Sequence, residues 1–130
     1  MSPQRTGTER LGLSSSNVEK QLNSSKELQI TVIGRKSGKE FSTPVWFVRE
    51  GKTVFLLPVT GSNSAWYKNL EKSKNITIST GQLKLQLATR LVTDPKKVSL
   101  IADKFRKKYS ASEVKKYYTN FDAGVELTLK

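Results

Sequence analysis

Neither cysteine nor histidine occurs anywhere in this chain. Without cysteine there is no disulfide, no thiol nucleophile and no thiolate metal ligand. Without histidine as well, Ser-His and Cys-His nucleophile pairs are excluded and zinc loses its usual ligands, so no metal site is expected. An enzyme built this way would rely on a cofactor for its reactive group and on the protein for positioning. Long apolar runs are missing too. Nothing approaches the ~20 residues of a membrane helix, and Met1 to Ser16 is polar without a signal-peptide core. The expected compartment is the cytoplasm. Acids are scarce: 23 lysines and arginines face 11 of them, for a net charge of +12. Such a charge attracts anions, whether a phosphorylated cofactor, nucleic acid or an acidic membrane surface, with which weak association is compatible. Nucleic-acid binding interleaves aromatics with a basic groove, whereas here the aromatics read mostly as strand interior. No obligatory nucleic-acid partner is expected.

What is present fits one domain of ordinary size in 130 residues. Residues 1–26 are polar and are expected to form a flexible segment with one short helix, where Ser16 and Glu19 make a capping box and Val18 and Leu22 share a face. The folded domain is expected over 27–130. Leu28, Ile30 and Val32 alternate with Gln29 and Thr31 as in a strand. A glycine-bounded turn leads to a second strand through Phe41, Val45, Trp46, Phe47 and Val48, in which Pro44 implies an edge or a bulge. Glu50-Gly51 turns the chain into a third strand, Thr53 to Val59. A polar loop precedes a helix over about 65–72, capped by Asn63 or Ser64. Strands at 75–80 and 83–92 form a hairpin around Gly81-Gln82. Asp94 and Pro95 open a helix whose stripe is Val98, Ile101, Ala102 and Phe105. Ser110 with Glu113 starts a short helix through Tyr117 and Tyr118, and Gly124 precedes a last strand with Val125, Leu127 and Leu129 on one side. The pairs Lys107-Lys108 and Lys115-Lys116 read as a solvated face. Six strands joined mostly by hairpins, with three or four short helices, define a mainly β (α+β) antiparallel barrel.

The chemistry concentrates in Gly34-Arg35-Lys36-Ser37-Gly38-Lys39. Its glycines let the backbone present N–H groups, Ser37 adds a hydroxyl, and three cations surround them. Arg35 suits bidentate contact with phosphate oxygens, and Lys36 acts as a point charge. Taken alone, the same residues also describe an exposed hairpin turn with ordinary surface lysines.

The turn, together with Thr43-Pro44 and Ala65-Trp66-Tyr67-Lys68-Asn69-Leu70, resembles the signature of the deazaflavin-dependent nitroreductase and quinone reductase family. The resemblance covers about 27–130. It implies a split β-barrel related to FMN-binding proteins. The implied activity is hydride transfer from reduced coenzyme F-420, an 8-hydroxy-5-deazaflavin, to a quinone, nitroaromatic or other unsaturated small-molecule acceptor. It implies that Gly34, Arg35, Lys36, Ser37 and Gly38 bind the cofactor's phosphate, with Thr43, Pro44, Trp66 and Asn69 as further cofactor-binding residues. Tyr109, and Tyr117 displaced from the family register, are the substrate-pocket candidates. F-420 is the preferred cofactor and FMN the other, in a monomer or a homodimer. The sequence departs from the family pattern at Phe41, Thr60, Ser112 and Lys115. An FMN-binding barrel, or a non-catalytic barrel holding an anionic ligand or nucleic acid, is the alternative.

Overall fold

The structure, a computed structural model, describes Lys20, Leu22, Asn23 and residues 25–129. The capping box of Ser16 and Glu19 and the position of Val18 lie outside the described residues. The strands are β1 (Glu27–Ile33), β2 (Glu40–Glu50), β3 (Thr53–Leu56), β4 (Asn75–Thr80), β5 (Leu83–Val92) and β6 (Gly124–Thr128). The helices are α1 (Ala65–Lys72), α2 (Pro95–Tyr109) and α3 (Ala111–Tyr117), with one 3-10 turn at Gly61–Asn63. Every strand pairing is antiparallel, in the order β1-β2-β3-β6-β5-β4, and β4 returns to β1 to close the barrel. The expected fold class is the observed one.

The period-2 patterns set the inner face. Leu28, Ile30 and Val32 of β1 point inward and meet Val54, Leu56, Ile76, Ile78, Val125 and Leu127. Each such side chain contributes roughly 1.5–3 kcal/mol by leaving water. Leu22 is buried in the same cluster, as are Tyr67 and Leu70 of α1. A second cluster lies outside the barrel wall, where Val98, Ile101, Ala102 and Phe105 of α2 cover Val48, Phe55 and Val92. For that reason β3 does not alternate: Val54, Phe55 and Leu56 are all buried, between core and helix.

One strand is shared between two halves. β2 pairs with β1 from Glu40 to Trp46 and with β3 from Phe47 to Glu50. Pro44 lies in the first half, paired to Gln29, where the other side of β2 has no strand beside it among the described residues. A missing N–H costs nothing there. The same switch ends β3 early. Leu56 faces Phe47, the first residue of β2 to pair with β3, so the strand stops at Leu56 rather than running to Val59. Ser64 is the N-cap of α1, but its hydroxyl goes to Thr60 instead of the helix. Ser110 caps α3 as expected, accepting from the Glu113 N–H at 3.2 Å. No helix among the described residues is long and apolar enough to cross a membrane.

Candidate functional site

The turn between β1 and β2 is held tightly by its own backbone. The Gly34 N–H donates to Lys39 O at 2.7 Å, the Gly38 N–H to Gly34 O at 3.0 Å, and the Lys39 N–H to Ser37 Oγ at 3.2 Å. Gly38 has φ +72°, a conformation open to glycine at no steric cost. Gly34 is required for a different reason. A Cβ there would stand 2.5 Å from Phe41 Cε2 and 2.9 Å from Ser37 Oγ, so the Phe41 ring closes over bare backbone.

Asn69 fastens this turn to α1. Its side chain is buried, and its Oδ1 accepts from the Arg35 N–H at 3.1 Å and from Arg35 Nη1 at 2.8 Å. Lys72 Nζ donates to Arg35 O at 2.9 Å from the next turn of the helix. The guanidinium is therefore oriented through one nitrogen, and its other N–H groups stay available. Among the described residues, the backbone N–H groups of Lys36 and Ser37 are engaged by nothing. Two adjacent unspent N–H groups, an oriented guanidinium, an exposed lysine and a hydroxyl form a nest of donors with the chemistry to hold an anion.

The nest opens into a cavity of 440 Å³ lined by Val32, Phe41, Ser42, Thr43, Ala65, Trp66 and Asn69 as well as the turn. A second cavity of 410 Å³ is lined by Thr43, Pro44, Trp46, Trp66, Tyr117 and Tyr118, among others. Thr43 and the half-buried Trp66 line both, so the two chambers adjoin at these residues. The residues expected from the sequence thus converge, apart from one. Gly34 through Ser37, Thr43, Trp66 and Asn69 surround the first chamber, and Pro44 and Tyr117 the second; Gly38 completes the turn.

Tyr109 lies elsewhere. Its hydroxyl accepts from the Phe47 N–H at 3.1 Å and has Lys26 O at 2.6 Å and Phe47 O at 2.8 Å as acceptors. It lines a separate cleft with Lys26, Lys108 and Glu113. Burial pushes its phenol up to about 12. It pins the end of α2 to the point where β2 changes partners. Lys108 is not simply solvated either: its ammonium donates to Phe47 O at 2.8 Å and sits 3.7 Å from the Phe47 ring centre, and burial lowers its pKa. Phe41 and Trp46 are wall residues that sequence reasoning did not assign to a site. Phe41 carried a signal, being a large aromatic beside a glycine turn that is 52% exposed in the fold. Thr60 bonds Ser64 in the loop before α1.

A closed antiparallel barrel whose second strand is divided between two half-sheets, with a nest at one strand turn, is a split β-barrel. Similar solved structures share that fold. A conserved hypothetical protein from Mycobacterium tuberculosis is 16% identical, with a TM-score of 0.72 over 90% of this chain and 81% of its own. A reductase dependent on reduced F-420 is 17% identical, with a TM-score of 0.61 over 78% of this chain and 93% of its own. An FAD-binding protein from Mesorhizobium loti is 11% identical, with a TM-score of 0.65 over 91% of each chain. No curated protein matches the sequence. The chain belongs to the family described as "Uncharacterized protein conserved in bacteria (DUF2255)", whose profile matches residues 19–128.

Proposed function

We propose that the nest and its chamber hold the phosphate-bearing tail of a flavin-type cofactor, F-420 in preference to FMN, and that the protein is an oxidoreductase acting on a small unsaturated acceptor such as a quinone or nitroaromatic. The observation that carries this reading is the pair of unspent N–H groups at Lys36 and Ser37 beside an Arg35 guanidinium oriented by Asn69. That donor set suits phosphate oxygens, through charge-assisted bonds from Arg35 and a point charge from Lys36. The bound cofactor would supply the hydride. The chain's own residues do the rest. Trp66 offers a flat wall facing both chambers, suited to a planar ring at the boundary. Pro44 and Tyr117 border the space left for an acceptor. Phe41 and Val32 keep the first chamber apolar beyond the nest. A cofactor that delivers hydride needs no acid–base side chain, so the lack of histidine fits the reading. Similar solved structures include a reductase dependent on reduced F-420 and an FAD-binding protein, which supports it further.

The test is a fluorescence titration of the purified chain with F-420 and, separately, with FMN. Replacing Arg35 and Lys36 together by alanine should lower affinity by about 100-fold or more, because two charge-assisted hydrogen bonds contribute ~1.5–3 kcal/mol each. Wild-type affinity should weaken as salt rises, and the double mutant's should weaken less. Equal binding by mutant and wild type would overturn the assignment of the nest. Failure of both compounds to bind the wild type would overturn the function.

A further inference from the structure

The second chamber has a chemistry of its own. Trp46 and Tyr117 stand almost perpendicular, with 82° between planes and ring centres 5.6 Å apart. Trp66 and Tyr118 extend the aromatic lining. The Trp46 ring is fixed from behind by Tyr109, stacked at 4.2 Å and 10°. Glu27 lies opposite Trp46 in the β1–β2 ladder, so the two side chains leave the sheet on the same face. Among the described residues lining this chamber, Glu27 is the one acidic or basic side chain. Among the described residues its carboxylate makes no hydrogen bond or ion pair.

That arrangement runs against the charge of the molecule. With 23 cations to 11 acids, a chamber whose one charged side chain is an acid is the less common arrangement. A chamber meant only for neutral apolar ligands gains nothing from a carboxylate, whose hydration shell any such ligand would disturb. Aromatic faces set at right angles beside an uncompensated carboxylate are the elements that recognise organic cations, through ring quadrupoles and one neutralising charge. The Tyr117 ring already accepts such a group from outside: the Lys116 ammonium sits 5.3 Å from its centre without lining the chamber.

We propose that this chamber binds the ammonium group of a small organic cation, enclosed by Trp46, Trp66 and Tyr117 and neutralised by Glu27. The site stands whether or not a flavin occupies the neighbouring nest. If both are filled, they adjoin at Trp66, and the cation belongs to the molecule presented to the cofactor.

Choline and its neutral isostere 3,3-dimethylbutan-1-ol, which differ by nitrogen for carbon, are the probes. The full chain is titrated with each, following tryptophan fluorescence and backbone amide shifts. Choline should saturate and bind about 10-fold or more tightly than the isostere, as a desolvated cation–π site requires. Glu27→Gln, on an exposed strand position, should keep the melting temperature and lower choline affinity by about 5-fold or more while leaving the isostere unchanged. Tyr117→Leu should lower choline affinity more than that of the isostere. Equal or tighter binding of the isostere would make the chamber merely apolar. Absence of saturable choline binding, or choline binding indifferent to Glu27→Gln, would remove the site. The F-420 and FMN titrations run on the same preparation report on the nest and its chamber, and Glu27 lines neither, so either conclusion can fail without the other.

Discussion

The tie between α1 and the β1–β2 turn can be dissected by substitution. Asn69→Ala removes the Oδ1 that accepts from the Arg35 N–H and from Arg35 Nη1. A neutral hydrogen bond contributes about 0.5–1.5 kcal/mol and one from a charged group about 1.5–3 kcal/mol. The turn is only partly buried, so the low ends apply and the expected loss is about 2 kcal/mol. Arg35→Ala deletes only the guanidinium bond, since its backbone N–H still reaches Asn69, and should cost about 1.5 kcal/mol. In the double mutant the guanidinium bond is already absent. Its loss should therefore stay near 2 kcal/mol rather than rise to the sum, giving a coupling of about 1.5 kcal/mol. Urea denaturation of the four proteins measures this, read from midpoints at constant slope. Additive losses, within about 0.3–0.5 kcal/mol, would refute the tie. The same argument bears on ligand binding. Asn69→Ala leaves every cation in place yet should weaken F-420 or FMN binding, because the guanidinium loses its fixed orientation.

Gly34→Ala places a methyl group against the Phe41 ring and Ser37 Oγ; thermal melting should show a loss of about 1 kcal/mol, near the low end for overpacking because Phe41 can swing outward, and Phe41→Ala in the same chain should restore most of it. Tyr109→Phe gives up the contacts to Phe47 and Lys26 and should cost about 1–3 kcal/mol in urea denaturation. Its titration has a definite sign. The folded-state pKa is raised to about 12, above the unfolded value of about 10, so the stability it contributes is fully present below pH ~10 and disappears as pH rises through the folded value. Wild type should weaken across that window, and Tyr109→Phe should lack this part of the decline.

Much of the fold was legible because burial follows period. The alternation in Leu28–Val32 and Leu83–Leu87 and the stripe Val98–Phe105 all describe faces that the barrel and α2 bury. The end of β3 was not legible. Leu57 and Pro58 are buried and look like strand, but whether a residue pairs depends on where β2 changes partner, which no local pattern encodes. The same division holds for the site. Glycines and cations in sequence announced the turn, and its geometry is local. The roles of Asn69 and Tyr109 were hidden, because each is defined by a partner far along the chain, Arg35 in one case and Phe47 in the other. Tyr109 was expected in a substrate pocket, whereas its hydroxyl is taken up by backbone. The meeting of Glu27 with Trp46 follows from ladder register, which sequence alone leaves open by one residue in either direction.

The position of β6 in the barrel governs the order in which the chain can fold. It is last in sequence among the strands, yet it lies between β3 and β5, joining Thr53 to Thr128 on one side and Val92 to Gly124 on the other. The β1–β2 and β4–β5 hairpins need only short loops to close and can form early. The barrel cannot shut until β6 arrives, and its pairing with β3 must close the longest loop of any strand pair. Until then β3 and β5 each present an open edge, carrying Val54 and Leu56 on one and Leu91 and Val92 on the other, the kind of template that recruits another chain. A nascent or heat-opened molecule is thus expected to aggregate through this gap, before β6 has closed it.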